Sequence, residues 1–203
     1  MDFGEARLIH RRPSMPEVDA YLLGTVRGGS EEAANNLVFA ARLWPAVTVL
    51  QEQFDEAPAV VSQCAERIMT TAGGDDETLI GTIPQELDNL SAEDRAALES
   101  RTGKSLADLV NEHPRGSLRY VRLPSVGVSL FRRPTRATFA AFTDASKTDD
   151  LLDACRTLCA ECAVTDEASL PGVFASAPAV SFHLAYALAQ LAGAHLEVRS
   201  GKL

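Results

Sequence analysis

Long apolar runs are missing from this 203-residue chain: none approaches the roughly 18–20 residues needed to cross a bilayer, so no membrane partner is expected. The opening segment MDFGEARLIHRRP also lacks the apolar stretch of about 7–15 residues that follows the charges of a secretion signal. A cytoplasmic protein is expected. Cysteine is scarce: the four residues Cys64, Cys155, Cys159 and Cys162 are expected to stay as reduced thiols, not to form a disulfide framework. Positive charge is in deficit, with 19 basic against 28 acidic residues and a net charge of −9, which opposes general phosphate-backbone binding and argues against a nucleic-acid partner.

Catalytic signatures are missing too. There is no G-x-S-x-G, H-E-x-x-H or paired-carboxylate pattern, and His10, His113, His183 and His195 have no two-ligand spacing. Thr102-Gly103-Lys104-Ser105 looks like the end of a phosphate-binding loop, but Leu98 stands where that loop needs its first glycine. A helix stop followed by a serine cap explains the same residues. We therefore expect no enzyme, no cofactor and no metal.

What is present is a globular composition, 46% hydrophobic and 23% charged, and an internal echo. Ile9-His10-Arg11-Arg12-Pro13-Ser14 reads against Leu130-Phe131-Arg132-Arg133-Pro134-Thr135 at an offset of 121 positions. Phe54, Ala57-Pro58-Ala59-Val60 and Ala72-Gly73 read against Phe174, Ala177-Pro178-Ala179-Val180 and Ala192-Gly193 at an offset of 120. The order and spacing of these blocks point to duplication. Charge divides the chain further: residues 1–74 carry 6 basic and 10 acidic residues, 75–116 carry 4 and 10, and 117–203 carry 9 and 8.

The expected fold is mainly α with a small β component: two tandem duplicated helical-bundle units joined by a helical connector and a β-hairpin. Its parts are a first unit at 1–74, an acidic connector at 75–116, and a hairpin with the second unit at 117–203. Ser14 and Thr135 are placed to cap first helices, with Val18, Tyr21 and Leu22 matched by Phe139, Phe142 and Thr143 on the apolar face. Second helices are expected at about 31–43 and 149–163, short third ones ending near Phe54 and Phe174, and fourth ones opening at Pro58 and Pro178 and stopping at Gly73 and Gly193. In the connector, Ser91 starts a helix that Gly103 ends, and a short one runs from Ser105 to Glu112. Alternation over 117–131 around Pro124-Ser125-Val126-Gly127 predicts the hairpin, and Ala6–His10 a strand before the first unit.

Two features carry possible chemistry. Cys155, Cys159 and Cys162 have the spacing of an iron–sulfur triad, yet at i, i+4 and i+7 they share one helix face, which makes them core residues. Leu37, Ala41 and Trp44 have similar spacing in the first unit. The arginine pairs Arg11-Arg12 and Arg132-Arg133 sit beside a proline at a strand-to-helix junction in both copies, and with Arg136 they are candidate contacts to an acidic partner surface. The competing reading pairs them with carboxylates of their own chain.

Ala97-Leu98-Glu99-Ser100-Arg101-Thr102-Gly103-Lys104, Leu118-Arg119-Tyr120-Val121 and Phe131-Arg132-Arg133-Pro134-Thr135-Arg136-Ala137-Thr138-Phe139 together resemble small tail-assembly proteins of tailed bacteriophages. The match runs over about 93–194; the first copy departs from it, with Ser14-Met15-Pro16-Glu17 in place of Thr-Arg-Ala-Thr. The resemblance implies a non-enzymatic tail-assembly chaperone in the cytoplasm of the bacterial host, with tape-measure or tail-tube proteins as partners. Alternatives are a structural virion protein, such as a tail or head–tail accessory subunit, and a small metal protein or enzyme built on the cysteine helix.

Overall fold

A computed structural model describes residues 8–114, 116–147 and 151–193. Among the described residues helix makes up 66% and strand 10%, the mainly α class with a small β component. The chain divides into two compact units, residues 1–75 and 76–203, and the connector helices group with the second.

In the first unit, strand β1 (Ile9–His10) leads through the buried Pro13 to Ser14, whose extended backbone opens helix α1 (Met15–Val26). The Glu17 carboxylate accepts hydrogen bonds from the Ser14 amide at 2.7 Å and hydroxyl at 2.9 Å, closing the first turn. Val18 and Leu22 are buried and Tyr21 partly so. Helix α2 (Ser30–Ala41) buries Ala34, Leu37, Val38 and Ala41 and packs on α1. A Cβ added at Gly24 of α1 would lie 2.6 Å from the Ala33 Cβ, so glycine sets how closely these two helices approach.

Helix α2 ends two residues before the predicted position, because Arg42–Trp44 form strand β2, antiparallel to β1 with Ile9 opposite Trp44 and His10 opposite Arg42. The physical reason is Pro45, whose ring disfavours helical backbone at the residue before it. Trp44 is thus not a core residue in line with Leu37 and Ala41. The buried i, i+4, i+7 set is Ala34, Val38 and Ala41. Helix α3 (Val47–Glu56) buries Leu50 and Phe54, the latter with its ring 5.8 Å from Phe39. Helix α4 (Ala59–Met69) packs on α2 and passes into one wide turn, Thr70–Gly74, where Gly73 takes a left-handed φ of 81°.

The second unit opens with α5 (Asp76–Gly81) and a 3-10 turn at Leu87–Asn89. Ser91 and Ser105 each accept the amide three residues on, at 3.1 Å, to start α6 (Ala92–Thr102) and α7 (Leu106–Asn111), and Gly103 ends α6 with φ 66°. Strands β3 (Leu118–Leu123) and β4 (Gly127–Arg132) form the predicted hairpin, in register from Leu118 opposite Arg132 to Leu123 opposite Gly127. Leu90, Leu98, Leu106 and Leu109 bury against Leu118, Tyr120, Val128 and Leu130. Helices α8 (Arg136–Ala145), α9 (Leu151–Cys162), α10 (Leu170–Ser176) and α11 (Ala179–Leu191) follow. Phe139, Phe142 and Thr143 are only partly buried on α8. The predicted starts at Ala6 and Asp149 lie outside the described residues.

After each Arg-Arg-Pro the two units run through the same order of elements: two helices, a backbone return to the entering strand, a short helix and a last helix. Backbone angles agree at the shared block. Ala57 (φ −140°, ψ 73°) and Pro58 (−56°, −31°) match Ala177 (−143°, 76°) and Pro178 (−57°, −34°), and Gly73 matches Gly193 at φ 81° and 87°.

Replacing Gly24 by Ala is expected to destabilise the protein by about 1–3 kcal/mol despite alanine's better helix propensity, since the added methyl overpacks the contact with Ala33. Urea unfolding measures this, and a gain in stability would show that α1 and α2 can move apart freely.

Candidate protein-binding surface

Among its described residues the first unit leaves its β ribbon uncovered. Ile9 is 56% exposed, Leu43 61% and Trp44 53%, and Val47 at the start of α3 is exposed as well. Ile9 and Trp44 are register partners, so their side chains share one face of the ribbon. Apolar groups at such exposure on a two-stranded sheet are the kind of surface that a partner buries. Among the described residues this sheet has only β1 and β2, so the other edge of β1 pairs with no strand.

The two arginines of each pair are used differently. The Arg11 guanidinium forks onto Glu17, with nitrogen–oxygen distances of 2.8 and 2.5 Å, and donates to the Ala40 carbonyl at 2.9 Å. Arg132 donates through Nε and a terminal nitrogen to the Glu161 carbonyl at 3.1 and 2.7 Å. Both carbonyls lie in the last turn of the second helix of their unit, where backbone oxygens lack intrahelical donors and a cation is favourable. Arg11 therefore takes a carboxylate of its own chain and Arg132 a backbone carbonyl. Arg12, Arg133 and Arg136 are exposed, and no described residue pairs with their side chains.

The hydrogen bond from Arg11, joined by those from Ser14, pulls the Glu17 carboxyl down to about 2 against the desolvation that opposes it. A second network lies in the other unit. Arg101 of α6 forks onto Asp166 at 2.9 and 3.0 Å and also donates to the Val126 and Val128 carbonyls. Ser129 and Thr165 hydroxyls each donate to Asp166 at 2.8 Å. Burial pushes the Asp166 carboxyl up, but these donors together hold it below the usual carboxylate range. No sequence pattern singles out Arg101 and Asp166, which are 65 positions apart.

The thiols of α9 pack in the core. Cys155, Cys159 and Cys162 are buried, and Cys159 Sγ donates to the Ser181 carbonyl of α11 at 3.6 Å. Burial raises the Cys159 thiol well above its ordinary value and Cys162 to about 11, which leaves both protonated and weakly nucleophilic at neutral pH. Among the described residues no group of three His, Cys, Asp or Glu side chains is placed to hold a metal ion. His195 lies outside those residues. Two open clefts of about 640 and 630 Å³ in the second unit are lined by mixed polar and apolar groups, with Lys104 and Glu112 of the smaller paired to each other at 2.7 Å. No described helix is long and apolar enough to cross a membrane.

Residues 2–80 match the model of a protein family described as a domain of unknown function (DUF6848), a span that takes in residues 2–75 of the first unit with its exposed ribbon. Comparison with curated proteins and with solved structures gives no match.

Separate roles within each arginine pair predict separable effects. Arg132→Ala should cost about 1 kcal/mol through the lost helix-end contact, while Arg133→Ala should stay within about 0.5 kcal/mol of wild type in denaturant unfolding. The Glu17 carboxyl is depressed in the folded state, so its contribution to stability is present above the ordinary value of 4.5 and fades as pH falls towards 2. Glu17→Gln should lower the melting temperature at pH 7 and lose that difference across this acid window. A difference that does not shrink between pH 4.5 and pH 2 would refute the linkage.

Proposed function

We propose that the chain is a non-enzymatic binding protein acting as a tail-assembly chaperone, which holds tape-measure or tail-tube components of a tailed phage in the host cytoplasm until they polymerise. The ribbon of the first unit carries this reading: Ile9, Leu43 and Trp44 stand exposed on it, and Arg12, three residues after Ile9, is exposed as well. Such a surface suits a partner that buries apolar side chains and brings carboxylates to the edge. The resemblance of residues 93–194 to phage tail-assembly proteins supplies the biological setting. Arg133 and Arg136 of the second unit, exposed and paired with no described residue, are further candidate contacts for the same acidic partner.

The test is affinity capture from phage-producing cells with the wild-type chain and with Leu43→Asp, which changes an exposed side chain and leaves the core untouched. Wild type should retain a tape-measure or tail-tube protein, and Leu43→Asp should lose most of it at an unchanged melting temperature. Mass spectrometry of purified particles should find the chain missing. Its presence there in fixed stoichiometry would replace the chaperone by a structural virion subunit.

A further inference from the structure

The second unit shows what the first one lacks. At the block shared by both, Leu130 and Phe131 stand where Ile9 and His10 stand, and both are fully buried while Ile9 is largely exposed. Two things cover them. Strand β3 pairs along β4, with Tyr120 opposite Leu130 and Arg119 opposite Phe131, and Leu98, Leu106 and Leu109 of α6 and α7 close over Leu130. On its far edge β4 meets Ala163, which lies just past α9 as β2 lies just past α2. In the first unit β1 has the counterpart of that inner contact, β2, and on its outer edge no described strand.

Charge points the same way. The connector at 75–116 carries 10 acidic and 4 basic residues; two of its carboxylates pair with arginines of β3, the cover's own strand, Glu86 with Arg119 at 2.7 Å and Asp94 with Arg122 at 2.6 Å, and the connector as a whole keeps its acidic excess. The ribbon of the first unit carries His10, Arg11, Arg12 and Arg42, and Glu17 offsets only Arg11 among the ion pairs of the described residues. A basic ribbon with an open edge and apolar side chains is complementary to an acidic helix followed by a strand.

We propose that the outer edge of β1 and the Ile9–Trp44 face bind, from a partner protein, an acidic leucine-bearing helix followed by an antiparallel strand, as α6, α7 and β3 cover β4. This rests on the binding-protein reading above and names the segment that the site takes. The β1 backbone supplies the pairing groups, Ile9 and Trp44 the apolar contact, and Arg12 the charge at the rim.

Trp44 is the sole tryptophan of the chain and stands in the site, so its emission reports on occupancy directly. The probe is a synthetic peptide of residues 85–123, which contains the covering helices and strand but no tryptophan. Added to the full chain, it should shift Trp44 emission to shorter wavelength with saturation. Ile9→Asp in the protein, or Leu98, Leu106 and Leu109→Ser in the peptide, should weaken binding at least tenfold, as removal of buried apolar anchors does. The Ile9→Asp protein should keep its melting temperature. No shift up to about 1 mM peptide, or a shift that Ile9→Asp leaves unchanged, overturns the proposal. Emission that depends on protein concentration alone would assign the face to a second copy, and emission that reddens on deletion of residues 1–7 would assign it to the chain's own start; either result overturns it. If Leu43→Asp abolishes client capture while the peptide gives no shift, the binding reading stands and only the helix-and-strand occupant falls.

Discussion

Each helical unit hangs on the tie between the strand that enters it and the chain that leaves its second helix. In the first unit the Arg11 amide donates to the Ala41 carbonyl at 2.9 Å while its guanidinium reaches Ala40; in the second the Val164 amide donates to the Leu130 carbonyl at 2.8 Å while Arg132 reaches Glu161. A strand of two residues such as β1 has no stability of its own, and a helix end leaves its last carbonyls without partners. One arginine meets both needs, because its position on the strand fixes where the helix must end. The buried Pro13 and Pro134 then turn the chain into the first helix, whose Ser or Thr cap follows at once.

From this common frame the two units diverge in what lies over the strand. The second spends residues 76–123 on a cover: two short helices with serine caps, a strand, and the Arg101–Asp166 network that ties α6 to β4 and to the chain after α9. That network replaces water around a carboxylate of which 9% is exposed by four nearby donors, so its geometry tolerates little change. The first unit keeps the frame without such a cover among its described residues, and its apolar ribbon is left to face outward. Proteins seldom leave a tryptophan, a leucine and an isoleucine on a sheet edge unless something else buries them.

Much of this was legible in the residues. The caps at Ser91, Ser105 and Thr135, the left-handed stops at Gly73, Gly103 and Gly193, and the hairpin about Pro124 follow from local chemistry that acts within a few positions. The three thiols of α9 were readable as core residues from their spacing on one helix face. Trp44 was misread because an apolar residue at helical spacing looks like a core residue until the proline after it is given its weight. Arg101 with Asp166, and the division of labour within Arg11-Arg12 and Arg132-Arg133, could not be read at all: each depends on which atoms meet after folding, across 29 to 65 positions.

The sequence by itself determined most of the helix starts and stops, the shared helix face of the three α9 thiols and the two Arg-Arg-Pro blocks, because those properties are set by near neighbours and by periodicity. Only the tertiary structure decided that the first arginine of each pair braces a helix end while the second pairs with no described residue, and that the same apolar position is buried in one unit and exposed in the other. Burial is a property of what lies opposite a side chain, and nothing in Ile9 or Leu130 alone says whether a strand will be there to meet it.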